Sequence, residues 1–401
     1  MSRATTTTDR DAMPEIIAGT PPATDRKVCV VINGIHAKSG GGVTYLRKIL
    51  PELANEDSLN VHLLLHKDQF QLFYPIPDSI HITIFTFRPS FFITFIWEQF
   101  SLPLIAGAMG ADVVFSPANY GPIFAKNHVI LLRNAVSVIR HIDRLKPALY
   151  WSVLSVATLV SFITCKRAIA VSNYAARILS FRLPSFMKKR LNVVYHGATP
   201  ISPPRDFNAK QSNSLLAVSD IYVQKNYHTL VKAFAKVRQN HPSMTLNIVG
   251  TEIDRHYAER VRKLIRKLGI EDNVRFHGYL EMNEIVEMYR TCDIFVFPSV
   301  VETFGNPLLE AMSAGAPIAC SKTAAMPEVI DDAGLLFDPN NADDIAAKIE
   351  QLLLDADLRR TLGEKALSRS RQFTWNRTAR QTAHVLRDAL GDRKLAPQKF
   401  R

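Results

Sequence analysis

The sequence predicts an α/β protein built from two doubly wound, parallel-sheet domains that face each other across a cleft. Short apolar runs rich in β-branched residues alternate with longer helical patterns along most of the chain, as is typical of βαβ units. The alternation is interrupted once, by a stretch rich in Pro, Ser and Asn at residues 199–214. A chain of 401 residues is also too long for one ordinary hydrophobic core.

The N-terminal half contains seven predicted strands and at least two helices. Most of the strands are continuous apolar runs, which is expected of a sheet covered on both faces. Helices are predicted at Val43–Leu53, where Pro51 should bend or end the helix, and at Tyr174–Ser180. The predicted strands are Val28–Ile32, Val61–His66, Ile80–Phe85, Val113–Phe115, Val129–Leu132, Ile169–Val171 and Val193–Tyr195.

A second alternating series follows the Pro-rich stretch. Its predicted strands are Leu215–Val218, Leu246–Val249, Val274–Phe276, Ile294–Phe297, Ile318–Cys320 and Leu335–Phe337. Its predicted helices are Tyr227–Asn240, Arg255–Leu268, Met282–Thr291, Pro307–Ala314, Asp343–Asp355 and Thr378–Leu390. Ligands of open α/β sheets bind at the carboxyl ends of the strands, so the expected site is the cleft between the two sheets.

These patterns divide the chain into five predicted parts. Residues 1–26 are predicted to be a disordered leader, and residues 27–198 an N-terminal domain. Residues 199–214 form a linker, residues 215–375 a C-terminal domain, and residues 376–401 a helix with a basic, mobile tail.

Charge and cysteine content narrow the possible partners. The net charge of +12 favours anionic partners, such as nucleotides or the acidic face of a bilayer. No nucleic-acid-binding motif is recognised, so nucleic acid is not an expected partner. The four cysteines are scattered and form no metal-binding cluster, so reduced thiols in the cytoplasm and no metal site are expected.

The segment Pro147–Cys165 has nineteen consecutive positions without a charge, close to the length of a membrane span. Its five Ser and Thr residues favour a helix that is buried in the domain or lies against a bilayer. Together with the basic charge, this segment predicts peripheral contact with an anionic membrane. The aromatic-rich stretch Phe91–Phe100 could also be buried in the domain or lie against a bilayer, although Glu98 interrupts its apolar run.

The stretch from Asp293 to Pro317 carries the most chemical information. A buried strand leads into a loop, and a short helix follows, for which Asn306 is a favourable N-cap and Pro307 a favourable first residue. Such a helix start binds phosphate through its free N–H groups and its dipole. Glu302 in the loop and Glu310 in the helix flank this anion site and can accept hydrogen bonds from sugar and ribose hydroxyls. The alternative is that Glu302 is a solvated loop residue and Glu310 only favours the helix dipole.

The segment VETFGNPLLEAMSAGAPI resembles the E-x7-E segment of retaining glycosyltransferases of family 4, which have the GT-B fold of two Rossmann-like domains. The resemblance includes Tyr222–Phe234, Phe276–Leu280 and Met326–Pro339, and extends more loosely to Ile32–Leu46. The motif style is similar to that of mannosyl- or rhamnosyltransferases of bacterial lipopolysaccharide and exopolysaccharide synthesis.

The resemblance implies that residues 27–198 are the acceptor-side domain and that residues 215–375 bind the nucleotide-sugar donor. It also implies roles for individual residues. Glu310 would hold the donor ribose, and Glu302 would contact the transferring sugar. Lys225 would neutralise the departing diphosphate. Phe304, Gly305, Asn306 and Pro307 would line the sugar and phosphate pocket, largely through backbone groups. Gly41 and Gly42, in the triplet that precedes the helix at Val43, would approach the donor phosphates.

The sequence also departs from the family pattern. Many members carry an arginine five residues before the lysine, where this chain has Asp220. Either Asp220 points away from the diphosphate or another cation, such as Arg133 or Lys38, replaces the arginine. A third alternative is a weakened or altered donor site. Arg133 and Asn134 stand where the family often has a His-Asp pair that touches the donor sugar, and His196 is expected at the hinge.

The predicted function is transfer of a hexose, with retention of configuration, from a GDP- or UDP-linked donor to a saccharide or lipid-linked acceptor. No cofactor is expected. The expected location is the cytoplasm or the inner face of the cytoplasmic membrane. Because of Asp220 and the missing His-Asp pair, the alternative is a catalytically silent protein that binds sugar nucleotides in a membrane-associated assembly.

Overall fold

The computed structural model describes residues 26–38, 40–88, 90–133, 145–180, 184–207 and 212–391. The predicted leader, apart from Arg26, lies outside these residues. So do the tail beyond Gly391 and the candidate site residue Asn134.

The described part of the N-terminal half forms a parallel sheet of seven strands in the order β3-β2-β1-β4-β5-β6-β7. The strands are β1 (Val28–Asn33), β2 (Leu59–His66), β3 (His81–Phe85), β4 (Val113–Ser116), β5 (His128–Leu132), β6 (Arg167–Ala170) and β7 (Leu191–Val193). Each predicted strand has a counterpart, although β7 ends two residues before the predicted end.

Seven helices accompany this sheet within the described residues. They are α1 (Gly40–Ala54), α2 (Phe70–Phe73), α3 (Phe91–Ile96), α4 (Leu102–Ala108), α5 (Leu145–Thr164), α6 (Asn173–Leu179) and α7 (Ser185–Lys188). A π-helical turn at Trp97–Ser101 joins α3 to α4 without a break. A 3-10 turn at Lys67–Gln69 precedes α2.

One expectation about α1 is wrong. The helix begins at Gly40 rather than near Val43, so the glycine triplet forms its first turn instead of a preceding loop. Of the two alternatives for Pro51, that it ends the helix does not hold, because Pro51 lies inside α1, which continues to Ala54.

The described part of the C-terminal half forms a second parallel sheet, with six strands in the order β10-β9-β8-β11-β12-β13. The strands are β8 (Ser214–Val218), β9 (Thr245–Val249), β10 (Val274–Gly278), β11 (Ile294–Phe297), β12 (Ile318–Ser321) and β13 (Leu335–Phe337). They match the predicted strands to within two residues at each end.

The helices of this half are α8 (Tyr227–Asn240), α9 (Arg255–Leu268), α10 (Met282–Thr291), α11 (Asn306–Ala314), α12 (Met326–Ile330), α13 (Ala342–Leu354), α14 (Ala356–Ser370) and α15 (Trp375–Asp388). Single 3-10 turns lie at Val223–Lys225 and Glu271–Asn273. The two parallel sheets with helices on their faces are the two Rossmann-like domains of the GT-B fold.

The final helix returns to the first domain. Helix α15 packs against α1 and β6, and Trp375, Ala379 and Ala383 belong to the same buried core as Leu46 and Ile49 of α1. Ala198 N donates a hydrogen bond to Phe373 O, where the chain crosses back (2.8 Å). The polypeptide therefore passes between the domains twice, at neighbouring positions.

Helices α4 and α5 cover the same face of the N-terminal sheet. Val114 and Ser116, two residues apart on β4, point to one face. Val114 packs with Leu102 of α4, whereas Ser116 is paired in register with Ile130, which packs with Phe162 of α5. The outer sides of both helices therefore lie on one side of the molecule.

Candidate active site

A cavity of about 360 Å³ lies between the two domains. Its N-terminal wall contains the loop after β1, the start of α1, and residues that follow β5 and β7. Its C-terminal wall is the loop after β11. The lining residues are His36, Lys38, Gly41, Gly42, Arg133, His196, Glu302, Thr303, Phe304, Gly305 and Asn306. We call this space the interdomain cavity.

The loop after β11 ends at a left-handed residue. Gly305 has φ of +93° and is the N-cap of α11, so Asn306 is the first helical residue and Pro307 the second. The expectation that Asn306 is the N-cap is therefore wrong. The Asn306 side chain instead contacts the other domain, with Oδ1 2.9 Å from His196 Nδ1. Phe304 is buried and its ring lies 5.0 Å from the His196 ring, which leaves mainly backbone groups of this segment for a ligand.

Lys225 and Glu302 form an ion pair at the edge of the cavity, with Nζ 2.5 Å from Oε1. Only 10% of the Lys225 side chain and 16% of the Glu302 side chain are exposed. Burial alone would lower the pKa of Lys225, but the Glu302 carboxylate more than offsets this effect and the pKa lies above its usual value. Asn226, which follows the lysine, donates to Pro298 O (3.1 Å) and Pro339 O (2.7 Å) and fixes the turn.

Glu310 lies in an adjoining cavity of about 270 Å³, which shares Asn306 with the first. Its other lining residues come from α1, α10, α11, the start of α15 and residues 197–202, where the chain leaves the first domain. They are Thr44, Lys48, Gly197, Ala198, Thr199, Pro200, Ile201, Ser202, Met282, Val286, Tyr289, Leu309 and Trp375. The buried Tyr289 hydroxyl donates to Glu310 Oε2 (3.1 Å). Burial raises the pKa of Glu310, and the Tyr289 hydrogen bond and Lys48 oppose this shift.

Arg133 lies against the first turn of α1. A Cβ atom at Gly42 would be 2.4 Å from the Nη1 and Nη2 atoms of Arg133, so the absence of a side chain at Gly42 leaves room for the guanidinium. The Arg133 Nε atom is buried and has no hydrogen-bond partner. Burial lowers the pKa of Arg133, yet a guanidinium remains charged at neutral pH. The cavity therefore contains a desolvated cation.

Asp220 does not face this cation. Its Oδ1 atom accepts a hydrogen bond from Thr251 N (3.1 Å) on the loop after β9, and Asp220 does not line the interdomain cavity. Asp220 is thus turned away from the interdomain cavity, and the cations Arg133 and Lys38 lie in the cavity wall.

His196 connects the two walls of the cavity. Its ring contacts Phe304, Trp375 and Tyr45, and its Nε2 atom is buried without a partner. Burial lowers the pKa of His196 to about 4, although the hydrogen bond to Asn306 opposes the shift. A neutral imidazole therefore lies at the crossing between the domains.

Other hydrogen bonds hold the domains together near the cavity. Glu328 of α12 accepts hydrogen bonds from Asn173 N (2.7 Å), Tyr174 N (3.1 Å) and the Tyr195 hydroxyl (2.7 Å). Thr303 Oγ1 donates to Arg133 O (2.5 Å). The arrangement of the walls thus depends on polar contacts from both sheets.

Sequence reasoning missed one group of residues at the cavity. His36 contacts the fully buried Glu98, with Nε2 2.8 Å from Oε2, and Asn33 Nδ2 donates to Glu98 Oε1 (2.7 Å). A single carboxylate within an otherwise aromatic and aliphatic stretch was the signal that could have identified this group. Among the described residues, no three His, Cys, Asp or Glu side chains are grouped so that they could hold a metal ion.

Comparison with known proteins identifies relatives of part of the chain. Residues 202–369 match the family model described as "Glycosyl transferases group 1". The O-antigen chain mannosyltransferase B of Escherichia coli is 33% identical over 174 residues, which cover 42% of this chain and 44% of that protein. A D-inositol 3-phosphate glycosyltransferase of Corynebacterium jeikeium is 34% identical over 177 residues, which cover 41% of each chain. The chain thus spans less than half the length of these two curated relatives.

Solved structures resemble nearly the whole chain. Sucrose-phosphate synthase from Thermosynechococcus elongatus has a TM-score of 0.71 at 19% identity and covers 91% of this chain and 100% of its own. WaaG, a glycosyltransferase involved in lipopolysaccharide biosynthesis, has a TM-score of 0.69 at 16% identity, with 89% and 99% covered. Anabaena HepE in complex with UDP-glucose has a TM-score of 0.68 at 18% identity, with 90% and 99% covered. The chain has the GT-B fold, and residues 202–369 are similar to the group 1 glycosyltransferase family.

Proposed function

We propose that this protein is a retaining hexosyltransferase that takes its sugar from a nucleoside-diphosphate donor bound between the two domains. The observation that carries the proposal is the convergence of two helix N-termini, those of α1 and α11, with Arg133 and Lys38 on one cavity. Free N–H groups and the positive ends of helix dipoles favour a diphosphate. A fixed cation stabilises the negative charge that develops as the diphosphate departs.

In this proposal Arg133 replaces the arginine that is missing at position 220. The Arg133 guanidinium is desolvated and adjacent to the first turn of α1, so it attracts phosphate more strongly than an exposed side chain would. Glu302 lines the cavity and Lys225 does not. Lys225 therefore acts on the bound donor from the far side of Glu302, with which it forms an ion pair. The pair gives the cavity a carboxylate for the sugar hydroxyls and a cation within reach of the leaving group.

The nucleoside belongs in the adjoining cavity. Glu310 accepts hydrogen bonds from the ribose hydroxyls there, and the base lies against the apolar side chains of α10 at Met282 and Val286. The shared residue Asn306 marks the point where the diphosphate connects the two cavities. The mannosyltransferase relatives favour mannose as the transferred sugar, whereas the HepE complexes contain UDP or UDP-glucose.

The first test is thermal unfolding of the full chain with GDP, UDP and ADP at millimolar concentration. We expect one of them to raise Tm, because a ligand that binds only the folded state stabilises it. If none of the three raises Tm, the donor site is wrong. Release of nucleotide from labelled sugar donors in the presence of membranes then separates an active enzyme from the silent sugar-nucleotide-binding alternative. The anomeric configuration of the product, measured by NMR, tests retention.

The acceptor in this proposal is a saccharide linked to a lipid at the inner face of the cytoplasmic membrane. Four apolar side chains recur every fourth residue on the outer side of α3, the π turn and α4: Phe92, Ile96, Phe100 and Leu104, which are 58–75% exposed. Phe124 packs beside Phe100, with ring centroids 5.7 Å apart. On α5, Val156, Leu159, Val160 and Ile163 are also exposed. We call these nine residues the apolar face.

Charge complementarity favours an anionic bilayer as the occupant of the apolar face. Residues 86–193 contain 13 Lys and Arg but only 3 Asp and Glu. Lys126, Lys166, Lys188 and Lys189 are exposed, and Arg190 donates to the carbonyls of Ile163 and Cys165 at the end of α5. Exposed apolar residues with a basic rim are typical of helices that lie in a membrane interface. None of the helices in the described ranges is long and apolar enough to cross a membrane.

Vesicle co-sedimentation tests this surface. We expect the protein to bind vesicles containing phosphatidylglycerol and to be released by salt, and we expect weak binding to pure phosphatidylcholine. The double substitution Phe100→Glu and Leu104→Glu should abolish binding. Leu354→Glu, at an equally exposed position of the C-terminal domain, is the matched control and should bind normally. Recovery of the wild-type protein in the supernatant at low salt would instead leave a protein partner as the occupant.

A further inference from the structure

A buried polar cluster lies behind the N-terminal wall of the interdomain cavity and reaches it only through His36. Glu98 is fully buried, and each of its carboxylate oxygens is occupied, Oε1 by Asn33 Nδ2 at 2.7 Å and Oε2 by His36 Nε2 at 2.8 Å. A buried carboxylate is costly unless it is paired and hydrogen-bonded, so this arrangement is strongly determined. The donor-binding roles proposed above do not use it.

The carboxylate fixes the state of the imidazole. A carboxylate accepts hydrogen bonds, so Nε2 of His36 must carry the proton that is donated to Glu98. In the neutral ring this leaves Nδ1 as an acceptor. The Tyr120 hydroxyl is 3.3 Å from Nδ1, which is long for a hydrogen bond donated by a hydroxyl, so Nδ1 has a weak partner that another hydroxyl can displace.

The backbone around Glu98 is specialised for this contact. Glu98 lies in the π-helical turn Trp97–Ser101. Such turns occur mostly within α-helices, and they are frequent at functional sites. The next residue, Gln99, donates to Gly121 O (3.3 Å) and accepts from Ile123 N (3.0 Å), which connects the turn to the loop after β4. The two neighbouring side chains therefore hold two separate loops, one of which forms the cavity wall.

We propose that His36, oriented by Glu98, is an acceptor-binding residue whose imidazole accepts a hydrogen bond from a hydroxyl group of the saccharide acceptor. This inference rests on the proposed glycosyl transfer and names the wall of the cavity on which the acceptor lies. His36 lines the N-terminal side, and the candidate sugar-binding residue Glu302 lies on the C-terminal side of the same cavity. The acceptor thus enters the cavity between His36 and Glu302.

The tautomer can be observed directly in the protein labelled with 15N-histidine, bound to the nucleoside diphosphate that raises Tm. We expect the His36 signals of a neutral ring protonated at Nε2. Addition of octyl glycosides of mannose, glucose and galactose should shift the Nδ1 signal with at least one of them. A ring protonated at Nδ1 or at both nitrogens, or no shift with any of the three glycosides, would overturn the proposal.

Substitutions test the same point by affinity. His36→Ala should weaken glycoside binding about tenfold, the usual effect of losing one good hydrogen bond. Glu98→Gln should have a similar effect although His36 remains, because an amide that donates to Nε2 moves the ring proton to Nδ1. His62→Asn, on β2 outside the cavity, is the matched control and should change neither the affinity for the glycoside nor that for the nucleotide.

Nucleotide-induced stabilisation should persist in all three variants. Its absence from the wild type would contradict the proposed function, whereas unchanged glycoside affinity in His36→Ala would contradict only the present inference.

Discussion

The ammonium group of Lys225 and the carboxylate of Glu302 are 2.5 Å apart, although the two residues are 77 positions apart in the chain. The pair joins the 3-10 turn before α8 to the loop before α11, and it therefore couples the two segments that are predicted to take part in the sugar transfer. Because both side chains are largely shielded from water, removal of either one leaves the other in an unfavourable state.

Glu302→Gln should destabilise the protein and lower the pKa of Lys225 toward or below its usual value. We expect a loss of about 2–4 kcal/mol in the free energy of unfolding, since truncation of one partner leaves a buried charge unpaired. Urea denaturation measures it. Lys236→Ala, which removes an exposed lysine from α8 that pairs with Asp343, is the control and should have little effect. Equal stability of the two variants would mean that the Lys225–Glu302 pair is effectively solvated.

Glu310→Gln should weaken nucleotide binding and stabilise the free protein near neutral pH. Burial raises the pKa of Glu310, so the folded state binds a proton more readily than the unfolded state. The wild-type protein consequently loses stability as pH rises through the raised pKa, and the variant lacks this loss. We expect nucleotide affinity to fall about tenfold or more, because hydrogen bonds to a charged group are lost. Calorimetry with the nucleotide and unfolding curves between pH 4 and pH 8 measure both effects.

Acid should destabilise the fold through His196. The pKa of His196 is lowered to about 4 by burial, compared with about 6.5 in the unfolded chain. The unfolded state therefore binds more protons between these values, and stability falls as pH drops from about 6.5 toward 4, by up to about 3 kcal/mol. His196→Asn should make the pH dependence shallower in this window. An unchanged slope would assign the acid sensitivity to other buried groups, such as His128, whose pKa is about 3.

Gly42→Ala should impair donor binding without unfolding the protein. The added Cβ would meet only the end of the Arg133 side chain, which can move away from the cavity. We expect the affinity for the nucleotide to fall about tenfold, as in Arg133→Ala, and the double variant to be no weaker than either single variant. Gly107→Ala, with open space around the position, is the control. Additive effects of the two substitutions would show that they act independently.

Much of the fold could be predicted from the sequence because both sheets are parallel and buried, which makes their strands continuous apolar runs. Helix starts were less certain. Gly40–Gly42 are poor helix formers, yet they form the first turn of α1, and Asn306 has the chemistry of an N-cap but contacts His196 instead. At Gly42 the contact with Arg133, and at Asn306 the contact with His196 of the other domain, override the local conformational preference of the residue.

The candidate site divides in the same way. The motif from Glu302 to Glu310 is local in sequence, and the loop and helix it predicts are confirmed, although the roles of its residues stay predictions. The cluster of Asn33, His36 and Glu98 was missed because its members are up to 65 positions apart. Only the folded chain brings the loop after β1 against the π turn.

The return of α15 to the first domain has a consequence for how the protein is made. Domains that are contiguous in sequence can fold one after the other as they leave the ribosome. Here Trp375, Ala379 and Ala383 complete the core that α1 begins, so the N-terminal domain cannot close this core until nearly the whole chain has been synthesised. The second domain, although translated later, has a contiguous sheet and can finish first, and a nascent chain stalled before residue 375 would expose the unfinished core to chaperones.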